Sequence, residues 1–448
     1  MQISAKTFLL LFLTTPLFAQ QEIGLPFMRQ VWQSNKLNPA VVQPEQVIVE
    51  IFGIRSNGVF DGPVYNEIIS QGDSTPVVDI DRLSGYLKPE HNIIRQDLEY
   101  STLNLAVRID RLTLSLGHST KYHAFLDFPK ALPQVIWQGN AQFIGETIDL
   151  GHEIDLTGYH EIAFGAAYRF GKLTLGAKAK ILDGIANLST DFEHHSASLY
   201  TDPDVYQITL TGDYLLNAAN SVFYNGYDYL KTDFTFGRLT TENLVFTSGN
   251  RGFAYDAGAR LELGKLDLSL SVLDIGKITW NKRNYNYAAS KTYTYDGLDF
   301  SGALTGGNDA SLSNALDTLE ALFQPEKTYK SYTTELPRRI YANALFQLND
   351  RWNIGGLFYS EKFRGKTQNA YALGATWAAR PWLTLGATYA IKDENKSYDN
   401  VGLNLSVQWK FIQIFGTTDN VAALILPGES KNFSARGGLA LLLAGKEK

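Results

Sequence analysis

Hydrophobic and polar residues alternate along much of this chain. In YRFGKLTLGAKAK, residues 168–180, apolar or small residues fill every second position after the Gly171-Lys172 turn, and Lys178 and Lys180 lie on the opposite face. This period of two is typical of a half-buried β-strand. The apolar face packs on a core in a soluble sheet and contacts lipid in an outer-membrane barrel. The segment alone leaves both environments open.

The connections between such strands sort into two kinds. Six short turns join alternating segments: 109–112, 170–172, 263–266, 349–351, 379–381 and one near Lys410. Long polar segments join the other strand ends: 56–97, 127–158, 184–250 and 283–337, then shorter ones at 362–369, 391–400 and 416–432. Short links at one end and long loops at the other are typical of outer-membrane barrels, whose short turns are periplasmic. The pattern therefore favours the lipid-facing interpretation.

The strand count agrees with a closed barrel. The six turns account for twelve strands, and segments 47–55 and 433–443 raise the count to about fourteen. The sequence predicts an all-β fold: a transmembrane antiparallel β-barrel over 47–448 with long extracellular loops. Closure requires segment 47–55 to pair with 433–443. We also expect an extra hairpin within 192–215 and a short loop helix at 311–323, for which a helix covering a sheet edge is the alternative.

Aromatic residues cluster beside the short turns. Amphipathic rings suit a membrane interface, so the cluster predicts a periplasmic girdle. Aromatic packing at strand ends is the alternative interpretation. The girdle residues are Tyr168, Phe170, Trp352, Trp377, Trp382, Trp409 and Phe411.

Composition excludes several other classes of protein and of site. Mean hydropathy is −0.15, and no apolar run reaches the length of a membrane helix, which excludes a helical membrane bundle. The net charge is −6 without a basic stripe, so no nucleic-acid partner is expected. The chain contains 0 cysteines, which excludes disulfides, thiolate metal sites and a lipoprotein anchor.

The N-terminus predicts export. MQISAKTFLLLFLTTPLFAQ, residues 1–20, has an early lysine, an apolar run at 8–13 and small residues before Gln20, which indicates a cleavable signal peptide. The run is too short for the alternative, an N-terminal membrane anchor. We expect an integral outer-membrane protein exported through the periplasm. Residues 21–46 precede the first strand and are interpreted as a plug in the lumen or as a linker.

No catalytic motif is found, so we expect no enzyme activity and no cofactor or metal. His194 and His195 are adjacent and would point to opposite faces of a strand. Charged residues do occupy the predicted lumen face, where they would line a water-filled path or a ligand site. Pairing with each other and with a plug is the equal alternative. The candidates are Arg108, Lys178, Lys180, Asp256, Arg260, Glu262 and Arg436.

One segment supports a family resemblance. SNKLNPAVV (34–42), after an export signal and before about fourteen strands, resembles the FadL-like outer-membrane barrels, on a Bacteroidota branch near the PorV and PorP/SprF proteins of type IX secretion. Asn38, Pro39 and Ala40 are the shared piece and would lie in the N-terminal hatch. The resemblance implies fourteen strands around that hatch. The chain departs from many barrels by ending GGLALLLAGKEK (437–448), without a terminal aromatic residue.

The resemblance leaves two functions open. Some such barrels pass hydrophobic compounds, which predicts transport or channel-like passage of small molecules, hydrophobic ones included. Others are secretion accessories, which predicts a non-transporting barrel that binds secretion-system or surface-attachment proteins. Both have outer-membrane lipid as a partner. The tyrosine-rich loop NKRNYNYAASKTYTYDG (281–297) suits surface binding, but tyrosines also stabilise extended hairpins.

Overall fold

Fourteen antiparallel β-strands form one closed barrel in the computed structural model, which describes residues 22–71, 76–220, 223–225, 228–231, 248–295, 326–392 and 400–443. Each strand pairs with its neighbours along the chain. β14 also pairs with β1, from Val47 opposite Leu443 to Val59 opposite Asn432, so the predicted closure is confirmed. The strands are β1 Val47–Phe60, β2 Asn92–Ile109, β3 Leu112–Phe128, β4 Glu153–Phe170, β5 Leu173–Thr201, β6 Arg251–Leu263, β7 Leu266–Trp280, β8 Arg338–Gln347, β9 Trp352–Phe363, β10 Lys366–Arg380, β11 Leu383–Lys392, β12 Val401–Trp409, β13 Ile412–Thr418 and β14 Asn432–Leu443.

The alternating pattern places opposite chemistry on the two faces of the wall. Leu175 on the outer face of β5 is 45% exposed, whereas Lys180 on its inner face is 5% exposed. Apolar residues remain exposed outside because lipid, not protein, covers that face of a barrel. All the aromatic residues predicted for the girdle are also exposed near the short turns.

The six short turns are present where the sequence predicts them. Gly171 and Gly264 have φ values of 61° and 63° in the β4–β5 and β6–β7 turns. Two-residue hairpin turns require such positive φ, which glycine adopts without steric cost. β1 begins and β14 ends at this same side of the barrel, where Val47 pairs with Leu443.

The strands extend further than predicted at the long-loop side. β1 continues to Phe60, and the expected loop at 362–369 is a tight turn at Arg364-Gly365, because β9 and β10 pair up to Phe363 opposite Lys366. Interstrand hydrogen bonds do not depend on lipid, so polar sequence continues the ladder beyond the apolar band. β5 likewise runs to Thr201 and pairs with Ile208–Ala219, which confirms the extra hairpin.

Shorter elements lie on the long-loop side. The strands there are Ile69–Gln71, Pro76–Val78, Thr147–Asp149, Ile208–Ala219, Phe223–Asn225, Asp228–Lys231, Asn284–Tyr295, Glu326–Thr328 and Tyr332–Glu335. The α-helices are Tyr65–Ile68, Ile80–Tyr86, Ala131–Gln138 and Val421–Ile425, with 3-10 turns at Ala141–Phe143 and Pro427–Glu429. None of the described helices has the length and apolarity to span a bilayer. The predicted signal peptide and the predicted helix at 311–323 lie outside the described residues.

Candidate functional site

The N-terminal segment, residues 22–46, packs against the inner face of the barrel wall. It contains 3-10 turns at Leu25–Phe27 and Trp32–Lys36. Its apolar side chains form one buried cluster with residues of β7 to β11 and β13. Each such side chain contributes about 1.5–3 kcal/mol when fully buried. The segment's members of this cluster are Ile23, Leu25, Phe27, Met28, Val31 and Leu37.

Asn38, Pro39 and Ala40 rest on a pair of glycines in the barrel wall. Gly176 of β5 and Gly258 of β6 are direct cross-strand partners. A Cβ added at Gly176 would lie 2.5 Å from the Pro39 carbonyl oxygen and 2.7 Å from the Ala40 nitrogen. The glycine pair therefore creates the recess that admits this turn.

Hydrogen bonds fix the same turn in the recess. The Asn38 side-chain amide donates to the carbonyl oxygens of Ala259 (3.3 Å) and Leu270 (3.2 Å). Its Oδ1 accepts from the Ala40 backbone N–H at 2.9 Å. Asn38 thus joins the segment to both β6 and β7, and the three predicted motif residues lie together.

The start of the segment is held by a carboxylate. Asp419, which follows β13, accepts hydrogen bonds from the backbone N–H groups of Ile23 (3.1 Å) and Gly24 (2.7 Å). The Ser434 hydroxyl donates to the same carboxylate at 3.1 Å. Both ends of the segment are therefore bound to the barrel.

Lys180 lies at the centre of a buried charge cluster. Its ammonium group is 2.7 Å from Asp256, 2.5 Å from Asp274 and 3.9 Å from Glu161. Arg339 of β8 also forms an ion pair with Asp274. Two predicted residues, Lys180 and Asp256, meet here, together with two further carboxylates and an arginine.

Arg436 lies in a second cluster that includes the N-terminal segment. It contacts Glu22 and is 3.2 Å from Glu99 of β2. Lys36 of the segment is 3.1 Å from Glu50 and 3.6 Å from Glu99. The segment therefore supplies one cation and one anion to this cluster.

A third cluster lies near the short turns. Arg260 is 2.8 Å from Asp267 and 3.2 Å from Glu262, which is also 3.0 Å from Arg169. Arg29 of the segment is 3.7 Å from Asp267. Arg260 and Glu262, both predicted, are paired here.

Two predicted cations bind the segment's backbone. Lys178 donates to the carbonyl oxygen of Asn35 at 2.7 Å, and Arg108 donates to that of Pro44 at 2.5 Å. The predicted inward charges are thus spread over several places and do not converge on one site.

A cavity of about 110 Å³ lies above the segment on the long-loop side. Glu22 contributes to its lining, and Val59 lies on its wall. Seven carboxylates and four arginine or lysine side chains line it, with three tyrosines and one phenylalanine between them. The charged lining residues are Glu22, Arg55, Asp61, Arg95, Asp97, Lys121, Asp155, Asp274, Glu335, Arg339 and Glu361. Among the described residues, no group of three metal-binding side chains is arranged to hold an ion.

The sequence pattern missed several of these charges. Asp274 lies at a bulge in β7, where Tyr255 pairs with Ile275 and Ala257 with Val272, and it has a φ of 58°. A bulge breaks the period of two, so alternation cannot assign such a residue to a face. The interrupted pattern VLDIG (272–276) was the available signal.

Comparison with known proteins identifies one family. A family model described as "Family of unknown function (DUF5723)" matches residues 39–419. No curated protein matches the chain.

Several solved barrels are similar in structure. A FadL homologue from Pseudomonas aeruginosa is 12% identical, with 90% of each chain covered and a TM-score of 0.42. A mutant of the TodX monoaromatic hydrocarbon channel is 9% identical over 92% of this chain and 95% of that one, with a TM-score of 0.45. The Ralstonia pickettii toluene transporter TbuX is 10% identical over 92% and 93%, with a TM-score of 0.43. At these scores the fold assignment rests on the strand pairing itself.

Proposed function

We propose that this chain, which belongs to the DUF5723 family of unknown function, is an outer-membrane barrel that passes small polar solutes when its N-terminal segment moves. In this proposal residues 21–46 are a plug and 47–448 the barrel. Residues 1–20 are a signal peptide that directs export. The observation that carries the proposal is the cavity directly above the segment, on the side where solute would arrive.

The lining of the cavity supports a polar solute. Arg55, Arg95, Lys121 and Arg339 line it together with seven carboxylates. Charged walls favour solutes that can replace water in hydrogen bonds, because a purely apolar molecule leaves those groups unsatisfied. Small zwitterions carry both signs and suit a lining with both. Hydrophobic compounds are therefore the less favoured substrate class.

Solute efflux from proteoliposomes tests this function. We expect wild-type protein to release a small zwitterion faster than an apolar solute of similar size. Val59→Trp would fill part of the cavity and slow release. Val49→Trp, on the outer face of the same strand, is the matched control and should leave release unchanged. Equal release of the zwitterion by protein-free vesicles, or equal slowing of its release by both variants, would contradict the proposal.

A second function is favoured by the strong seating of the segment. Ile23, Leu25 and Phe27 are at most 2% exposed, which suits a permanent seal better than a gate. A sealed barrel would serve as a binding partner in a secretion or surface-attachment system. The relationship to PorV and PorP/SprF barrels, and a Bacteroidota origin, stay predictions.

Crosslinking in native outer membranes separates the two functions. A stable protein companion together with no solute release, even after deletion of residues 22–46, would favour the partner role. Release that increases on deletion, with no companion recovered, would favour passage.

A further inference from the structure

Two cations stand side by side on the outer face of the barrel wall. Arg338 of β8 and Lys362 of β9 are cross-strand partners, and both are exposed. Their sequence neighbours Arg339 and Glu361 line the inner cavity, so alternation directs Arg338 and Lys362 outward. Like charges directly opposite in a sheet are destabilising unless something neutralises them.

The wall itself supplies no neutralising group. Within the described part of the chain, neither cation has a carboxylate within 4.0 Å. The inward neighbours behave differently, since Arg339 pairs with Asp274 and Glu361 with Arg95. The outward pair therefore lacks the compensation that the lumen charges have.

The position of this pair along the barrel axis matches the edge of a membrane's apolar layer. Lys362 lies ten positions along β9 from Trp352, an exposed aromatic at the short-turn rim. At about 3.3 Å per residue and a tilt of about 40°, those ten positions rise about 25 Å, the thickness of the apolar band of such barrels. The cations therefore lie where the headgroups of the far leaflet begin.

The outer surface between this pair and the short-turn rim has the residues typical of a lipid interface. Ile340 and Ser360 occupy the next outward row, and Phe358 lies two positions further down. The ring of Phe358 packs beside Tyr371, which is 56% exposed, with centroids 5.3 Å apart. Aromatic rings at the interface with cations above them are the usual arrangement near anionic headgroups.

We propose that Arg338 and Lys362 together bind a phosphate group of a lipid in the outer leaflet, the phosphorylated lipid A headgroup. The long loops place this end of the barrel outside the cell, where that leaflet lies. An arginine fork and a neighbouring ammonium match a phosphate in charge and in hydrogen-bond donors. The bound phosphate removes the repulsion between the two cations. This inference does not depend on which solute the barrel passes.

Binding of lipid A to the full barrel in nanodiscs tests the site. Labelled bisphosphorylated lipid A is the probe, and dephosphorylated lipid A is the comparison. Arg338→Ser/Lys362→Ser should weaken binding of the phosphorylated form about thirtyfold, given the attraction of two cations to an anionic surface. It should leave binding of the dephosphorylated form unchanged. Lys172→Ser/Lys265→Ser, at the opposite rim, is the matched control and should bind as wild type does.

Three outcomes would overturn the proposal. These are equal binding of both lipid forms to the wild-type barrel, equal loss in the control variant, and displacement of the lipid by millimolar inorganic phosphate, which would identify a free anion as the ligand. Heat-modifiable gel mobility confirms folding of each variant. If the double variant does not fold, Lys362→Gln and the comparison of the two lipid forms on wild type still decide the question.

Discussion

The glycine recess under Pro39 gives a quantitative prediction about the N-terminal segment. Gly176→Ala adds a Cβ that would lie 2.5 Å from the Pro39 carbonyl oxygen, against an ordinary contact of at least 3.4 Å. Seating the segment then requires a backbone shift of roughly 0.9 Å, and overpacking of this kind costs about 1–3 kcal/mol. The unseated segment does not meet this methyl group. The ratio of unseated to seated molecules should therefore rise about 5- to 150-fold.

Thiol labelling measures that ratio directly. The chain contains 0 cysteines, and Ala40 is 0% exposed, so Ala40→Cys provides a single reporter that reacts only when the segment leaves its recess. The labelling rate with a membrane-impermeant maleimide should rise by the factor above when Gly176→Ala is added. Gly356→Ala is the control, because its nearest contact would be an ordinary 3.8 Å. An unchanged rate with Gly176→Ala, or an equal rise with Gly356→Ala, would refute the recess argument.

Three further predictions address other contacts. Asn38→Ala removes both hydrogen bonds to the Ala259 and Leu270 carbonyls, which destabilises the seated segment by about 1–3 kcal/mol because those oxygens lose their donor. The rate of Ala40→Cys labelling should therefore increase, and an unchanged rate would contradict this. Lys180→Met leaves Asp256 and Asp274 without their shared cation and should destabilise the barrel by about 3–5 kcal/mol. Heat-modifiable gel mobility should show a lower midpoint temperature of unfolding for this variant and an unchanged one for Lys172→Met at an exposed position. In the hairpin beyond the barrel, a hydrogen bond with Asp213 and its charge raise the pKa of exposed His194 above 6.5. The pair's contribution to hairpin stability is then fully present below pH 6.5 and is lost as pH rises through the raised pKa. An NMR titration should show the midpoint fall toward 6.5 in Asp213→Asn, where Asp191 and Glu193 still raise the pKa.

The architecture could be predicted from sequence because the lipid imposes a simple rule on the wall. A strand with lipid on one side and a polar lumen on the other keeps a period of two, and Leu173 to Ile181 followed it closely enough to orient Lys178 and Lys180. The turns were equally readable because Gly171 and Gly264 mark positions of positive φ. Beyond the apolar band that rule no longer applies, so the ends of β1, β9 and β10 were misplaced.

The partners of the inward charges could not be predicted. Lys180 meets Asp274 only because a bulge in β7 turns that carboxylate inward, and Arg436 meets Glu22 from a segment 414 residues away in sequence. Such contacts depend on strand register and on how the N-terminal segment folds back, neither of which a local pattern encodes. The Gly176–Gly258 recess is likewise visible only once β5 and β6 are paired.

Reversible crosslinking of the segment to the wall tests the central claim, that residues 22–46 occlude the lumen and must move for solute to pass. A Cβ built at Gly258 lies 3.0 Å from Cγ of Asn38, the position that the sulfur would take in Asn38→Cys. An S–S bond of about 2.05 Å places each sulfur about 3.0 Å from the other residue's Cβ, so the two positions suit a disulfide. Asn38→Cys/Gly258→Cys should therefore close the path when oxidised and restore conductance in planar bilayers when reduced. Equal conductance in the oxidised and reduced states would contradict the account.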